Sequence, residues 1–275
     1  MFWSAKCGVN RTILKKWIQC NSYSYLKFIL ELAKNNFSIP STINEKEKLM
    51  LVMLHYDFWQ TAANFDNIEK SIKKIGENQI LTQEMIETLE FLIDRISHIE
   101  LDIDLPYSQP LKLHSRYTRD QILAAFGANT FQKQSSNREG LVNLESKNTE
   151  LLLVTLEKTE DNYSPTTMYN DYAVSEKIFH WQSQNSSKPE IGRGLSYITH
   201  KEKGKSILLF VREKNTDEFG NTMSYVFLGA VNYIEHYGSK PMSIKWDLQV
   251  PSLLTSGKKL QKWLWVDQVA PVGVV

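Results

Sequence analysis

Cysteine is nearly absent from this sequence: Cys7 and Cys20 are the only two in 275 residues, and both lie near the N-terminus. Two cysteines cannot build a disulfide framework, and no short-spaced set of four ligands marks a zinc site. Such usage fits a reducing, cytoplasmic compartment. The six histidines are scattered, with no metal-ligand neighbour at useful spacing. Long apolar runs are also missing. The most apolar stretch, Leu49 to Leu54, is far too short to span a bilayer. The opening MFWSAKCGVNR has neither the apolar region nor the cleavage site of a secretory signal. Excess charge of one sign is lacking too. The net charge is +1, with 12 basic and 14 acidic side chains in residues 1–110 and 20 and 17 in residues 111–275. Any nucleic-acid binding must therefore use a local patch rather than bulk charge. The expectation is a soluble, cytoplasmic protein without a membrane partner.

The familiar catalytic motifs are missing as well. Gly204-Lys205-Ser206 resembles the end of a phosphate-binding loop, but Thr199 stands where the other glycine belongs, and a strand rather than a helix is expected to follow. There is no H-E-x-x-H, no Gly-x-Ser-x-Gly and no paired-histidine phosphodiesterase motif. Glu157 and Lys158 are adjacent, whereas a metal-dependent nuclease places its E-x-K pair one residue apart. No catalytic residue, metal ligand or cofactor is assigned, and the chain is read as a non-enzyme.

What is present reads as two parts. Residues 1–105 carry apolar side chains at helical spacing: Ile13, Leu14 and Trp17; Leu26, Ile29 and Leu30; Ile68, Ile72 and Ile75; Met85, Leu89, Leu92 and Ile96. A helix from about Asn44 to Tyr56 is apolar nearly all round and should be the buried one. Gly76 should end the fourth helix, and Thr82 should cap the fifth. This part is expected to be a helical bundle that couples the second part to other modules. The stretch LDIDLPYSQP, with Pro106 and Pro110, reads as the boundary. After it, Thr118-Arg-Asp-Gln121 forms a capping box for one short helix that stops at Gly127.

The period then changes from helical to alternating. Leu151–Glu157, Lys177–Gln182, Leu195–Thr199, Ser206–Arg212, Ser224–Val231 and Ser243–Leu248 are expected to be strands between Gly, Pro and Asn turns. The fold class is α+β: a helical bundle followed, over residues 111–275, by a mostly antiparallel, barrel-like sheet. Trp263 and Trp265 should pack back on that sheet.

One stretch stands out, TTMYNDYAVSEKIFHWQSQNSS at 166–187. It sets Tyr169, Tyr172, His180 and Trp181 among Asp171, Gln182 and Gln184. Rings beside amides and a carboxylate suit stacking on, and hydrogen bonding to, a nucleobase. The plainer alternative is that the rings are core and the Gln/Asn/Ser run is a turn. On a strand at 177–182, Phe179 and Trp181 share one face, while Ile178, His180 and Gln182 share the other. Alternation thus makes His180 and Gln182 the ligand face, with Trp181 left open between core and ligand. For the phosphate backbone, Arg116 and Arg119 flank the start of the helix at 118, and Lys201, Lys203 and Lys205 cluster on one turn.

The segments TRDQILAAFG, LLLVTLEKTEDNYSPTTMYNDYAVSEKIFHWQSQNSS, GKSILLFVREKN and YVFLGAVNYIEHYGSKPMSIKWDL resemble the C-terminal domain of unknown function of bacterial superfamily-two helicases. In many of those a phospholipase-D-type nuclease precedes the motor, as in SauUSI-like type IV restriction enzymes. The resemblance implies a module that recognises double-stranded DNA carrying 5-methyl- or 5-hydroxymethylcytosine. Its partners would be helicase and nuclease modules of the same or another chain. Base flipping into a barrel of PUA or SRA type is the analogous mechanism. Nuclease and motor motifs are absent here, so ATP use and cleavage are not carried over. Two other roles stay open: a structural coupler between motor and nuclease that reads no base, and a cryptic metal-dependent nuclease at Glu157.

Overall fold

The computed structural model describes residues 13, 15–62, 64–157 and 171–249. The expected packing of Trp263 and Trp265, and Lys158 beside Glu157, lie outside them. The chain divides into two compact units. One holds the residues up to Arg138 together with Glu218–Phe227; the other holds Glu139–Asp217 and the residues from Leu228 on.

The first unit is helical. Its helices are α1 (Tyr23–Lys34), α2 (Glu45–Trp59), α3 (Ile68–Ile75), α4 (Gln79–Asp94) and α5 (Arg119–Ala125), with residues 15–19 helical before them. Side-chain caps start each of the five. Ser22, Asn44, Asn67, Asn78 and Thr118 accept from backbone N–H groups of their first turns, filling donors that have no partner inside a helix. The cap of α4 is Asn78 and not Thr82, because the Asn78 amide reaches the Leu81 N–H while Thr82 is already inside the helix. As expected from its all-round apolar pattern, α2 buries Met50, Leu51 and every residue from Met53 to Phe58.

A carboxylate sits inside that core. Asp57 accepts from Trp17 Nε1 at 3.2 Å, Tyr25 Oη at 2.9 Å and Gln121 Nε2 at 2.9 Å. Gln121 is also the capping-box residue of α5, its Oε1 accepting from the Thr118 N–H. One buried carboxylate thus ties α1, α2 and the helix before them to α5, which lies beyond the proline-bearing stretch. β1 (Arg116–Tyr117) pairs antiparallel with Tyr225 and Val226 and completes this unit.

The second unit is built on one sheet. Its strands are β2 (Leu141–Leu144), β3 (Thr149–Thr155), β4 (Tyr172–Ala173), β5 (Ile178–Gln182), β6 (Ser206–Arg212), β7 (Tyr225–Tyr237, of which the residues from Leu228 on belong to this unit) and β8 (Ser243–Leu248), in the order β2-β3-β6-β7-β8-β5-β4. The expected barrel does not close. The sheet ends at β2 on one side and at β4 on the other, and strands of four and two residues are too short to carry a closing ladder. Pairing is mostly antiparallel, but β3 and β6 run parallel.

The expected strand at Leu195–Thr199 is instead a helix, α6 (Gly192–Ile198). Its alternating apolar pattern is short, and two glycines before it override the pattern. Gly192 takes φ +63°, and a Cβ at Gly194 would lie 2.0 Å from the Lys188 carbonyl oxygen, so the chain turns into a helix where a side chain would block it. α6 sets Tyr197 edge-on to Trp181 and Trp246, at 5.3 and 6.1 Å between ring centroids. This is the covered face of the sheet.

Behind α6, His200 is buried with its tautomer set by its partners. Nε2 accepts from the Tyr233 N–H at 3.1 Å, so Nδ1 carries the proton and donates to the Lys205 carbonyl at 3.0 Å. Burial lowers its pKa. The same direction and leading cause hold for His55, His98 and His114 of the first unit. A depressed histidine favours folding above its unfolded pKa of about 6.5, and that contribution is lost as pH falls through the folded value. Thermal melts should therefore show a lower Tm at pH 5.5 than at pH 7.5. A Tm that holds or rises would contradict the desolvation of these four histidines.

Among the described residues no helix is long and apolar enough to cross a membrane.

Candidate nucleobase-stacking site

The face of the sheet opposite α6 carries a stack of rings. Antiparallel register sets Tyr172 of β4 opposite His180 of β5, His180 opposite Lys245 of β8, and Lys245 opposite Glu235 of β7. Partners in register point to the same face, so these four side chains form one row across the strands. Tyr172 stacks on His180 with 4.5 Å between centroids and 20° between planes. Tyr237 lies on the other side at 5.9 Å and 29°, its hydroxyl 2.9 Å from His180 Nε2. The histidine is 1% exposed, whereas Tyr172 and Tyr237 are 41% and 54% exposed. Two tyrosines thus present ring area to solvent, held in place by a buried imidazole.

Polar groups border the rings. Gln182 is half-buried, its Nε2 3.4 Å from Ser243 Oγ. Lys245 Nζ lies 2.7 Å from Glu235 Oε1, and that carboxylate raises the lysine pKa. Asp171 is buried, and its Oδ1 accepts from the Gln182 N–H at 2.8 Å. The bond ties the entry of the edge strand β4 to β5 and so holds Tyr172 over His180.

The remaining sequence-derived residues lie apart from this row. Tyr169 falls outside the described residues. Trp181 is buried on the covered face with Tyr197 and Trp246. Gln184 uses both ends of its amide, donating to Glu139 Oε2 at 2.8 Å and accepting from Arg193 Nη1 at 2.7 Å. Lys201 and Lys203 are exposed on the turn after α6, the helix of the covered face. Lys205 pairs with Glu150, which is buried at the start of β3. Arg116 and Arg119 belong to the first unit. Arg116 is exposed, and Arg119 Nη2 donates to Asn137 Oδ1 at 2.9 Å. Glu157 is exposed at the end of β3, its N–H bonded to the Glu213 carbonyl. Among the described residues no group of three His, Cys, Asp or Glu side chains is placed to hold a metal ion.

Three members of the site were not identified from the sequence: Tyr237, Lys245 and Glu235. The expected strand stopped at Val231, but β7 runs on to Tyr237. Moreover, a bulge between Tyr233 and Glu235 shifts the register. Tyr233 packs edge-on to Trp246, and simple alternation would have sent Glu235 and Tyr237 the same way. The extra residue turns them to the open face.

Comparison with known proteins places the sequence in a family. The family model described as a domain of unknown function (DUF3427) matches residues 111–254. No curated protein matches the sequence. Among solved structures, that of Arabidopsis thaliana SUVH6 in complex with SAM is similar over 94% of this chain and 42% of that one, with 12% identity and a TM-score of 0.36. The chain thus spans less than half of the SUVH6 chain. Because the match takes in just over half of its length, the chain belongs to the DUF3427 family.

Proposed function

We propose that this protein binds DNA and reads 5-methyl- or 5-hydroxymethylcytosine by stacking the extruded base on the open face of its second unit. It would do so as the recognition module of a helicase–nuclease type IV restriction system, without catalysis of its own. The observation that carries the reading is the Tyr172–His180–Tyr237 stack. A base inside a duplex has both faces covered by its neighbours, so exposed rings fixed on a sheet can meet one only after it leaves the stack. Stacking on an aromatic ring is worth about 1–3 kcal/mol per base. A methyl group buried in a recess adds roughly 0.8 kcal/mol, only a few-fold in affinity, so strong preference for the modified base needs a misfit when the group is absent. Lys201 and Lys203, exposed on the turn after α6, are the proposed contacts of this unit to the DNA backbone.

Fluorescence anisotropy with matched duplexes carrying cytosine, 5-methylcytosine or 5-hydroxymethylcytosine, over a range of salt, tests the proposal. A modified duplex should bind tighter. Tyr172→Ala should weaken that complex by roughly 5- to 150-fold, the stacking contribution of one base, while Tyr172→Phe retains it. Equal affinity for all three duplexes would end the base-reading proposal.

The tie between Asp57 and Gln121 favours a second reading. It builds the N-terminal helices and the start of the family segment into one body, as a coupler between motor and nuclease requires. Absence of binding to every duplex would leave the coupler as the function.

A further inference from the structure

We infer that the Glu235–Lys245 pair reads the base-pairing edge of the extruded cytosine. The inference rests on the base-reading function above and adds the groups that recognise the base. Both side chains stand in the same row as Tyr172 and His180, in neighbouring strands that lie about 4.8 Å apart. The ion pair therefore begins one strand away from the ring stack. The Lys245 and Glu235 side chains are 35% and 58% exposed, so the pair is partly open to a ligand.

Their chemistry matches one base edge. Cytosine presents an amine donor beside a ring-nitrogen acceptor and a carbonyl acceptor. A carboxylate only accepts and an ammonium only donates, so Glu235 takes the amine while Lys245 serves the two acceptors. Thymine carries a carbonyl where cytosine carries the amine, and that oxygen would face the Glu235 carboxylate with no proton between them. The pair also makes this row a poor phosphate site, because its carboxylate repels an anion and its ammonium is already neutralised. Asp171, next to Tyr172 in the sequence, gives its Oδ1 to the Gln182 N–H, which leaves Glu235 as the carboxylate in register with the rings.

The test uses the full chain and short duplexes with one unpaired cytosine or one unpaired thymine, compared by anisotropy at fixed salt. The unpaired cytosine should bind about ten-fold tighter, the scale of one good paired contact to a base edge. Glu235→Gln should bring the ratio close to one. The exchanged pair Glu235→Lys with Lys245→Glu should do the same while keeping its ion pair and its melting temperature, which separates recognition from folding. Equal binding of the two probes by the natural protein, or an unchanged ratio in either variant, overturns the inference. If the modified duplex is still preferred in that case, only the Glu235–Lys245 assignment falls. If modified and unmodified duplexes bind alike while the cytosine–thymine ratio holds, it is the modification reading that falls.

Discussion

Asp57→Ala should destabilise the first unit by about 4 kcal/mol, since it strands several buried donors that cost about 1–3 kcal/mol each when left unmade. The Trp17 indole N–H, the Tyr25 hydroxyl and the Gln121 amide all donate to this carboxylate, and none of the three residues can turn to water, for all are buried. Burial raises the Asp57 pKa, while the Lys16 ammonium and these three hydrogen bonds act the other way. Asp57→Asn keeps one acceptor oxygen and should lose less, about 1–2 kcal/mol. Urea unfolding measures both. A loss within 0.5 kcal/mol for the alanine variant would mean that the donors find other partners and that Asp57 does not hold the helices together.

The second large effect concerns Lys205, which the sequence groups with Lys201 and Lys203 on one turn but which serves the core in the fold. Its ammonium pairs with Glu150, and the two side chains are only 12% and 1% exposed. Breaking a buried pair from one side leaves an uncompensated charge and costs about 3–5 kcal/mol. Lys205→Met should therefore lower the urea midpoint of the second unit sharply. Glu150→Leu combined with Lys205→Met should recover most of that loss, because removing both charges leaves neither unpaired. Lys203→Ala, on the exposed part of the same turn, should change stability by no more than about 0.5 kcal/mol. Equal and small losses for Lys203→Ala and Lys205→Met would contradict the buried pair.

Lys203 and Lys205 show what a local pattern leaves open. Both lie in KEKGKS, two residues apart, and nothing nearby distinguishes them. The difference comes from Glu150, which a parallel pairing of β3 with β6 brings to the start of β6. The α6 segment teaches the same lesson. Its β-branched and aromatic residues favour a strand, but propensity yields to the backbone that Gly192 and Gly194 allow.

The site residues divided along a line that alternation could draw only in part. Phe179 and Trp181 on one face and His180 and Gln182 on the other follow from the two-residue period of a strand, and the fold places them so: Phe179 and Trp181 are buried, Trp181 against Tyr197 of α6, and His180 lies under Tyr172. Asp171 is a different case. A carboxylate beside two tyrosines in sequence looks free to accept from a base, until the hairpin of β4 and β5 turns it toward the Gln182 N–H.

By itself the sequence determined the helical first part, the buried character of α2, the capping box at Thr118, four of the six strands it predicted as they stand in the sheet or nearly so, and the two faces of β5. All of these depend on residues a few positions apart, where periodicity and capping act directly. Only the tertiary structure decided that the sheet stays open, that the boundary stretch is bridged by Asp57 and Gln121, and that Tyr237, Glu235 and Lys245 join Tyr172 and His180. Those outcomes depend on which strands pair and in what register, and a single bulged residue between Tyr233 and Glu235 reverses the faces of everything after it.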